Sequence, residues 1–365
     1  MSLVTLSSLL LFSMIAFTQP NPSCIRSLDS LFMATFKNGE PGGSVLIAKD
    51  GHVIYKKGFG IEDLKTKKPI TPESLFNVGS ISKTFVAFSI LRLAEEGKLS
   101  LTDNIYQYFP DFRNPAIAKK IQIVHLLTHS SGLPDNRKIS EDSIFFLTAK
   151  DEENFAPLKE TDSLHFEPGE RFEYSNPAFN ALALIIEKVT GRKWQDYVKE
   201  TIFKPSGMKK SDITDGPHPQ SGVSHGYLKI GEHYSEKDYG EEPTFAAAGN
   251  GGVWSSVEEL WKYEQAIQKN TFIKREVVDK SRTVVNFPNW KDSVQPFVGL
   301  CWFITRQNGV GLIGHTGSQG GFRGDYQWLP DKNIFFVVLC NTPLPIEGLR
   351  EKSFAIFQRF HWLNK

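Results

Sequence analysis

The sequence predicts a mixed α/β protein of the α+β kind, with one antiparallel sheet drawn from both chain ends and a mostly helical lobe inserted between them. Two hairpin signals carry this expectation, Asp50-Gly51 near the start and Asn308-Gly309 near the end. The stretch between them reads as helix. The third observation is size: a single core stops growing near ~250–300 residues, and this chain has 365. Apolar residues make up 40% of it, with 28 Phe, which excludes a disordered chain. Lys plus Arg number 42 against 41 Asp plus Glu, a net charge of +1, so general electrostatic attraction to nucleic acid or an anionic surface is excluded.

The elements follow in order. Leu3 to Phe17 is an apolar run too short for the ~20 residues of a membrane span, and Ala16-Phe17-Thr18 offers a small-residue cleavage site. Residues 1–18 are therefore expected to be a signal peptide, and the protein secreted or periplasmic. The alternative is an uncleaved anchor, which would be the only membrane contact. Ser44–Lys49 and His52–Tyr55 flank Asp50-Gly51 as a first hairpin. Ser80 to Glu96 is apolar on nearly every side and ends at Gly97, the pattern of a buried helix. A second helix runs from Pro177 to Thr190, with Asn176 as N-cap and Gly191 as its stop. Ser256-x-x-Glu259 reads as a capping box opening a third. Residues 211–243, rich in Gly, Pro, Ser and His, read as an irregular excursion. Four strands close the chain: Phe297–Ile304, Val310–His315, Gly324–Leu329 and Ile334–Cys340. An amphipathic helix over Phe354–Leu363 is expected to pack on the sheet. The mature domain thus spans 19–365, its sheet lobe about 40–70 and 290–365, its helical lobe about 71–289. Cys24, Cys301 and Cys340 lack any C-x-x-C spacing, so buried free thiols are expected over a metal site or disulfide framework, with a Cys301–Cys340 bridge as the alternative.

Three short motifs carry chemistry. In Ser80-Ile81-Ser82-Lys83, residues three apart share a helix face, so the Lys83 amine meets the Ser80 hydroxyl. A serine needs a base to become a nucleophile, and a helix N-terminus favours the negative charge that develops there. In Tyr174-Ser175-Asn176, the phenol is placed to relay a proton to and from Ser80, its pKa of ~10 lowered by the Lys83 charge. Asn176 would bond a substrate carbonyl or Lys83. In His315-Thr316-Gly317-Ser318, at a strand end, Gly317 would let a substrate backbone approach the edge. The Ser318 N–H would pair with that of Ser80 as an oxyanion hole.

Together, and in this order, the motifs resemble those of the serine β-lactamase and penicillin-binding-protein superfamily, in its class C β-lactamase and serine D,D-peptidase branch with Tyr-x-Asn as second motif. The resemblance extends from about Gly43 to Cys340 and includes Leu126-Leu127-Thr128-His129-Ser130-Ser131-Gly132-Leu133-Pro134 and Phe166-Glu167-Pro168-Gly169. It implies a β-lactamase/transpeptidase-like fold and an acyl-enzyme on Ser80, with no cofactor. Lys83 and Tyr174 would be the other catalytic residues, and Asn176, His315, Thr316, Gly317, Ser318 and Arg323 would hold the substrate. Many members carry Lys where this chain has His315, which is mostly neutral at pH 7 and anchors a carboxylate less firmly. His-Thr-Gly occurs in D,D-peptidase-like members, so the resemblance tilts the expectation towards amide chemistry on D-amino-acid peptides, with penicillin as a ligand and Arg323 as the missing cation. Carboxylesterase or β-lactamase activity on the same scaffold is the alternative. A non-catalytic module binding cell-wall peptide or a β-lactam is a rival of another class.

Two other patterns mimic active sites. Gly222-Val223-Ser224-His225-Gly226 has the spacing of a nucleophile elbow but lacks the strand before and helix after. His125 and His129 are four apart on an expected helix, as in a zinc site, but bring no third ligand.

Overall fold

The computed structural model describes residues 21–135, 151–214, 222–236 and 248–364. The apolar run 3–17 lies outside these residues. Among them, no helix is long and apolar enough to cross a membrane.

The frame is a six-stranded antiparallel sheet. Its strands are β1 (Gly43–Lys49), β2 (His52–Phe59), β3 (Phe303–Gln307), β4 (Val310–Gln319), β5 (Phe322–Leu329) and β6 (Ile334–Cys340), in the order β3-β4-β5-β6-β1-β2. The two chain ends meet at the centre, where Val45 pairs with Val338 and Ile47 with Phe336. All seven residues of β6 are buried, because both sheet faces are covered. Phe336, Val338 and Cys340 pack on one side with helices α1 (Pro22–Thr35) and α5 (Ile346–Arg359), while Phe335, Val337 and Leu339 join the larger core shared with the helical lobe. Full burial of each such side chain contributes about 1.5–3 kcal/mol, so a continuous apolar run is affordable only under two covers.

Helix α1 was not expected. Asn21 caps it by accepting the Ser23 N–H at 2.9 Å, and Pro22 begins it, which are ordinary start signals adjoining the apolar run. Its buried Cys24, Leu28 and Phe32 give the sheet its outer cover.

In the other lobe, α2 (Ser82–Glu95) is buried nearly all round, as expected. Gly97 at φ +70° ends it, with the Gly97 N–H donating to Ala94 O and the Lys98 N–H to Leu93 O. Helix α3 (Asn176–Thr190) crosses α2, and α4 (Val257–Gln268) packs on β6 and β1. Only half of the capping box exists: Ser256 Oγ accepts the Glu259 N–H, but the Glu259 carboxylate accepts from Lys210 and Ser211 N–H instead.

Three expected elements change. Phe297–Ile304 is not one strand: Cys301 sits at φ +81°, its N–H donates to Leu127 O, and β3 begins at Phe303. The excursion contains a hairpin, Tyr227–Ile230 with His233–Glu236, turning over Gly231; 215–221 and 237–247 lie outside the described residues. Strand β4 continues past His315 to Gln319, so the third motif lies within the strand. The three cysteines are free and buried, Cys301 and Cys340 in different clusters.

Candidate active site

Ser80 lies in a 3-10 turn (Gly79–Ile81) that runs directly into α2. Gly79, at φ +53°, makes the entry possible, and a side chain there would strike the Ser318 amide nitrogen at 2.6 Å. One helical turn on, Lys83 is fully buried. Its ammonium donates to Ser80 Oγ at 3.0 Å, to Asn176 Oδ1 at 2.8 Å and to the Asn250 carbonyl at 2.7 Å. It also lies 5.1 Å from the centre of the Tyr174 ring and 5.7 Å from that of Phe179. Burying an ammonium is costly unless its hydrogens find acceptors, and these three meet that need.

Asn176 reaches Lys83 because it is not the cap of α3. Ser175 is: its Oγ accepts the Ala178 N–H at 3.2 Å, which leaves Asn176 as the first helical residue with its side chain free to turn inward. Tyr174 stands just ahead, 39% exposed, and lines the same cavity as Ser80. Burial raises its pKa above the ordinary phenol value and outweighs the lowering by the Ser80 hydroxyl. The expected lowering by the Lys83 charge is therefore overturned. The phenol is neutral at pH 7, able to pass a proton on but not to begin as phenolate.

The third motif closes the site. The β3–β4 ladder ends at Phe303–Gly314, so His315 to Gln319 pair only with β5 and leave the other edge to the Ser80 turn. A Cβ on Gly317 would lie 2.0 Å from Val78 O and 3.3 Å from Ser80 N. The glycine is thus required by the nucleophile's own turn rather than by an approaching substrate, a change from the sequence expectation. His315 is buried, and its Nδ1 donates to Thr316 O at 2.6 Å, so the proton sits on Nδ1. Burial and the nearby Lys83 charge push its pKa down to about 3. Its Nε2 is a buried acceptor without a partner among the described residues. Arg323 pairs across from Ser318, half-buried, and donates to Phe322 O at 2.8 Å. A cavity of about 370 Å³ joins Ser80, Tyr174, Phe303, His315, Arg323 and Glu347.

Sequence reasoning missed Asn250 and the weight of His129. Asn250 is in Ala248-Gly249-Asn250-Gly251-Gly252, held by the Asn180 amide, which donates to Ala248 O and to Asn250 Oδ1. A glycine-rich stretch was the available signal. A side chain at Gly249 would strike Ala183 Cβ at 2.5 Å. His125 and His129 do not share a helix: the helix is Ile123–Leu127, His129 has φ +54°, and its Nδ1 accepts the Ser175 N–H at 3.0 Å. Ser224 is fully buried in a loop leading to a hairpin, so the 222–226 pattern is no elbow. The Leu126–Pro134 and 166–169 segments have a structural job. Gly169 N–H donates to Ser130 O and His165 N–H to Gly132 O, which ties down the strap carrying Tyr174.

A beta-lactamase family profile matches residues 26–359. The chain belongs to the beta-lactamase family. This member is a serine hydrolase. It is 29% identical over 316 residues to penicillin-binding protein 4* of Bacillus subtilis, covering 81% of this chain and 67% of that one. It is 32% identical over 323 residues to the protein flp of Staphylococcus aureus, covering 87% of this chain and 62% of that one. It thus spans about two thirds or less of these curated relatives' length. Among solved structures, an octameric penicillin-binding protein homologue from Pyrococcus abyssi superimposes with TM-score 0.78 at 29% identity, covering 93% of this chain and 77% of that one. The D-amino acid amidase of Ochrobactrum anthropi SV3 also reaches TM-score 0.78, at 20% identity over 93% of this chain and 99% of that one, a likeness of fold. The expected α/β architecture and superfamily are both met.

Proposed function

We propose that this beta-lactamase-family member cleaves amide bonds of D-amino-acid peptides through an acyl-enzyme on Ser80, and that penicillin acylates the same residue. The observation that carries the reading is the Lys83 ammonium at 3.0 Å from Ser80 Oγ, with the neutral Tyr174 phenol lining the same cavity and its ring 5.1 Å from the ammonium. Ser80 Oγ attacks the carbonyl carbon, and its proton passes through the Tyr174 hydroxyl to the leaving nitrogen. The N–H groups of Ser80 and Ser318 take the oxyanion, which Lys83 stabilises as a fixed charge. Asn176, His315 and Thr316 position the substrate. Water then attacks the acyl carbon, Tyr174 takes a proton from it while giving its own to Ser80 Oγ, and the acid leaves Ser80 free, with Lys83 charged throughout. Arg323 supplies the cation for a substrate carboxylate, since the uncharged His315 supplies none. The 29% identity to a protein named for penicillin binding supports this substrate class. The apolar run 3–17 supports a secreted or periplasmic site of action.

A second reading, carboxylesterase, draws on the same His315. An uncharged third motif suits an ester without a carboxylate. The deciding experiment is intact-protein mass after brief exposure to a penicillin, on wild type and Ser80→Ala, with the drug assayed alongside. A persistent adduct on wild type alone supports the peptidase reading. Hydrolysed drug without adduct makes the protein a β-lactamase. Intact drug without adduct, with turnover of a p-nitrophenyl ester, makes it an esterase. Turnover of any substrate undiminished in Ser80→Ala removes Ser80 as nucleophile. No turnover in wild type, with peptide affinity unchanged in Ser80→Ala, makes it a binding module.

A further inference from the structure

We infer that His129 is a positioning residue for Tyr174, which fixes the height and tilt of the phenol over Ser80; this rests on the catalytic reading of Tyr174 given above. Three contacts converge. The Glu173 N–H donates to the His129 carbonyl at 2.8 Å. The Ser175 N–H donates to His129 Nδ1 at 3.0 Å. Between those two anchors, the imidazole stacks on the Tyr174 ring, centroids 4.3 Å apart and planes 27° from parallel. One residue therefore grips the backbone on both sides of Tyr174 and supports its ring.

Ordinary packing does not account for this. His129 holds φ +54°, a left-handed conformation that a bulky side chain adopts only when its surroundings impose it. The bond from Ser175 requires Nδ1 unprotonated, so the ring's hydrogen is on Nε2, which is buried and has no partner among the described residues. A core residue chosen for packing alone would avoid both the strain and the orphaned donor. Burial and the Lys83 charge keep the ring neutral far below its usual range, so Nδ1 remains an acceptor. The Ser175 bond also orders the cap of α3, so one contact fixes Tyr174 and steadies Asn176 on Lys83.

The test is a double-mutant cycle on the rate of acylation by a penicillin or a p-nitrophenyl ester. His129→Asn keeps a side-chain oxygen able to accept from Ser175, tolerates positive φ, and removes the stacking ring. In the Tyr174 protein it is expected to slow acylation about ten- to a hundredfold, the effect of a displacement near 1 Å. In the Tyr174→Phe background, already slowed about 10²–10⁴-fold, it is expected to cost less than about twofold, because the group it positions is gone. Equal losses in the two backgrounds, or no loss in either, would overturn the inference. If Tyr174→Phe alone runs at the wild-type rate, the catalytic reading of Tyr174 fails instead. Thermal melting of each variant checks folding, and His129→Gly, also free at this φ, carries the cycle should the Asn variant unfold; because it also releases Ser175, a loss larger in the Tyr174 protein than in Tyr174→Phe supports the inference and equal losses overturn it.

Discussion

Gly317→Ala tests why the third motif contains a glycine. The added Cβ would lie 2.0 Å from Val78 O, and real Cβ atoms essentially never come under 3.0 Å, so strand and turn must part by at least 1.0 Å (3.0 − 2.0). Neither side yields easily. Strand β4 is locked to β5 through Ser318–Arg323, and the Val78 carbonyl belongs to the turn that opens the buried helix α2. The parting falls on the Ser80 and Ser318 amides. A displacement of that size at a reacting group costs about 10²-fold in rate, and overpacking costs about 1–3 kcal/mol in stability. For a domain of this size the latter lowers Tm by about 1–4 °C. The assay is acylation by the smallest p-nitrophenyl ester, whose backbone is too short to touch the strand edge, together with thermal melting. Gly348→Ala in α5 is the control, since its Cβ meets nothing within 4 Å. If Gly317→Ala raises KM for peptides while the small ester and Tm stay at wild-type values, the glycine serves the substrate and the packing argument is wrong.

Acid should weaken the fold. Burial holds His125 down to about 4, His315 down to about 3, and His129 well below its usual value. Below about pH 6.5 the unfolded chain therefore takes up protons that the folded chain refuses, and stability falls as pH falls. Asp325, raised to about 6 by burial, works the other way between about pH 4 and 6, but it is one group against three. Denaturant midpoints at pH 7.5 and pH 5 check the sign, and a higher midpoint at pH 5 refutes it. Arg282→Leu strands a charge. Glu264 is fully buried and accepts from Arg282 at 2.9 and 2.7 Å and from the Tyr326 hydroxyl. Loss of the guanidinium should cost about 3–5 kcal/mol by denaturant unfolding, and a loss under about 1 kcal/mol would refute the pairing argument.

What was legible in the sequence had local causes. Asp50-Gly51 and Asn308-Gly309 specify their turns chemically, and Gly97 and Gly191 stop their helices. The Ser80–Lys83 encounter is fixed by three-residue spacing on a helix. What was not legible depended on partners far along the chain. Whether Ser175 or Asn176 caps α3 is settled by Lys83, 93 residues away, which draws the Asn176 side chain inward. The phenol pKa turns on burial, which no spacing reports and which the nearness of the Lys83 charge to Tyr174 hides. Phe297–Ile304 has the composition of a strand, yet Leu127 and Ser281 carbonyls claim the Cys301 and Leu300 N–H groups and bend it. Helix α1 carried legible signals in Asn21 and Pro22, overshadowed by the apolar run before them.

The acceptors around Lys83 bear on the path of the proton. Two of its partners, Asn176 Oδ1 and the Asn250 carbonyl, are oxygens with no proton to exchange, and they arrive from 93 and 167 residues away. Another is Ser80 Oγ, in the cavity that Tyr174 also lines. An ammonium donating all three hydrogens offers no lone pair, so Lys83 would have to lose a proton before it could take one from Ser80. Under the proposed mechanism the proton therefore moves between Ser80 and Tyr174, whose hydroxyls each have a hydrogen to give and a lone pair to accept one. The fixed charge beside them lowers the energy of the alkoxide as it forms. A neutral phenol is a weak base when the steps are separate. It becomes competent when it gives its own proton to the leaving group as it receives that of Ser80, which demands that both oxygens be held in line. The grip of His129 on either side of Tyr174 meets that demand.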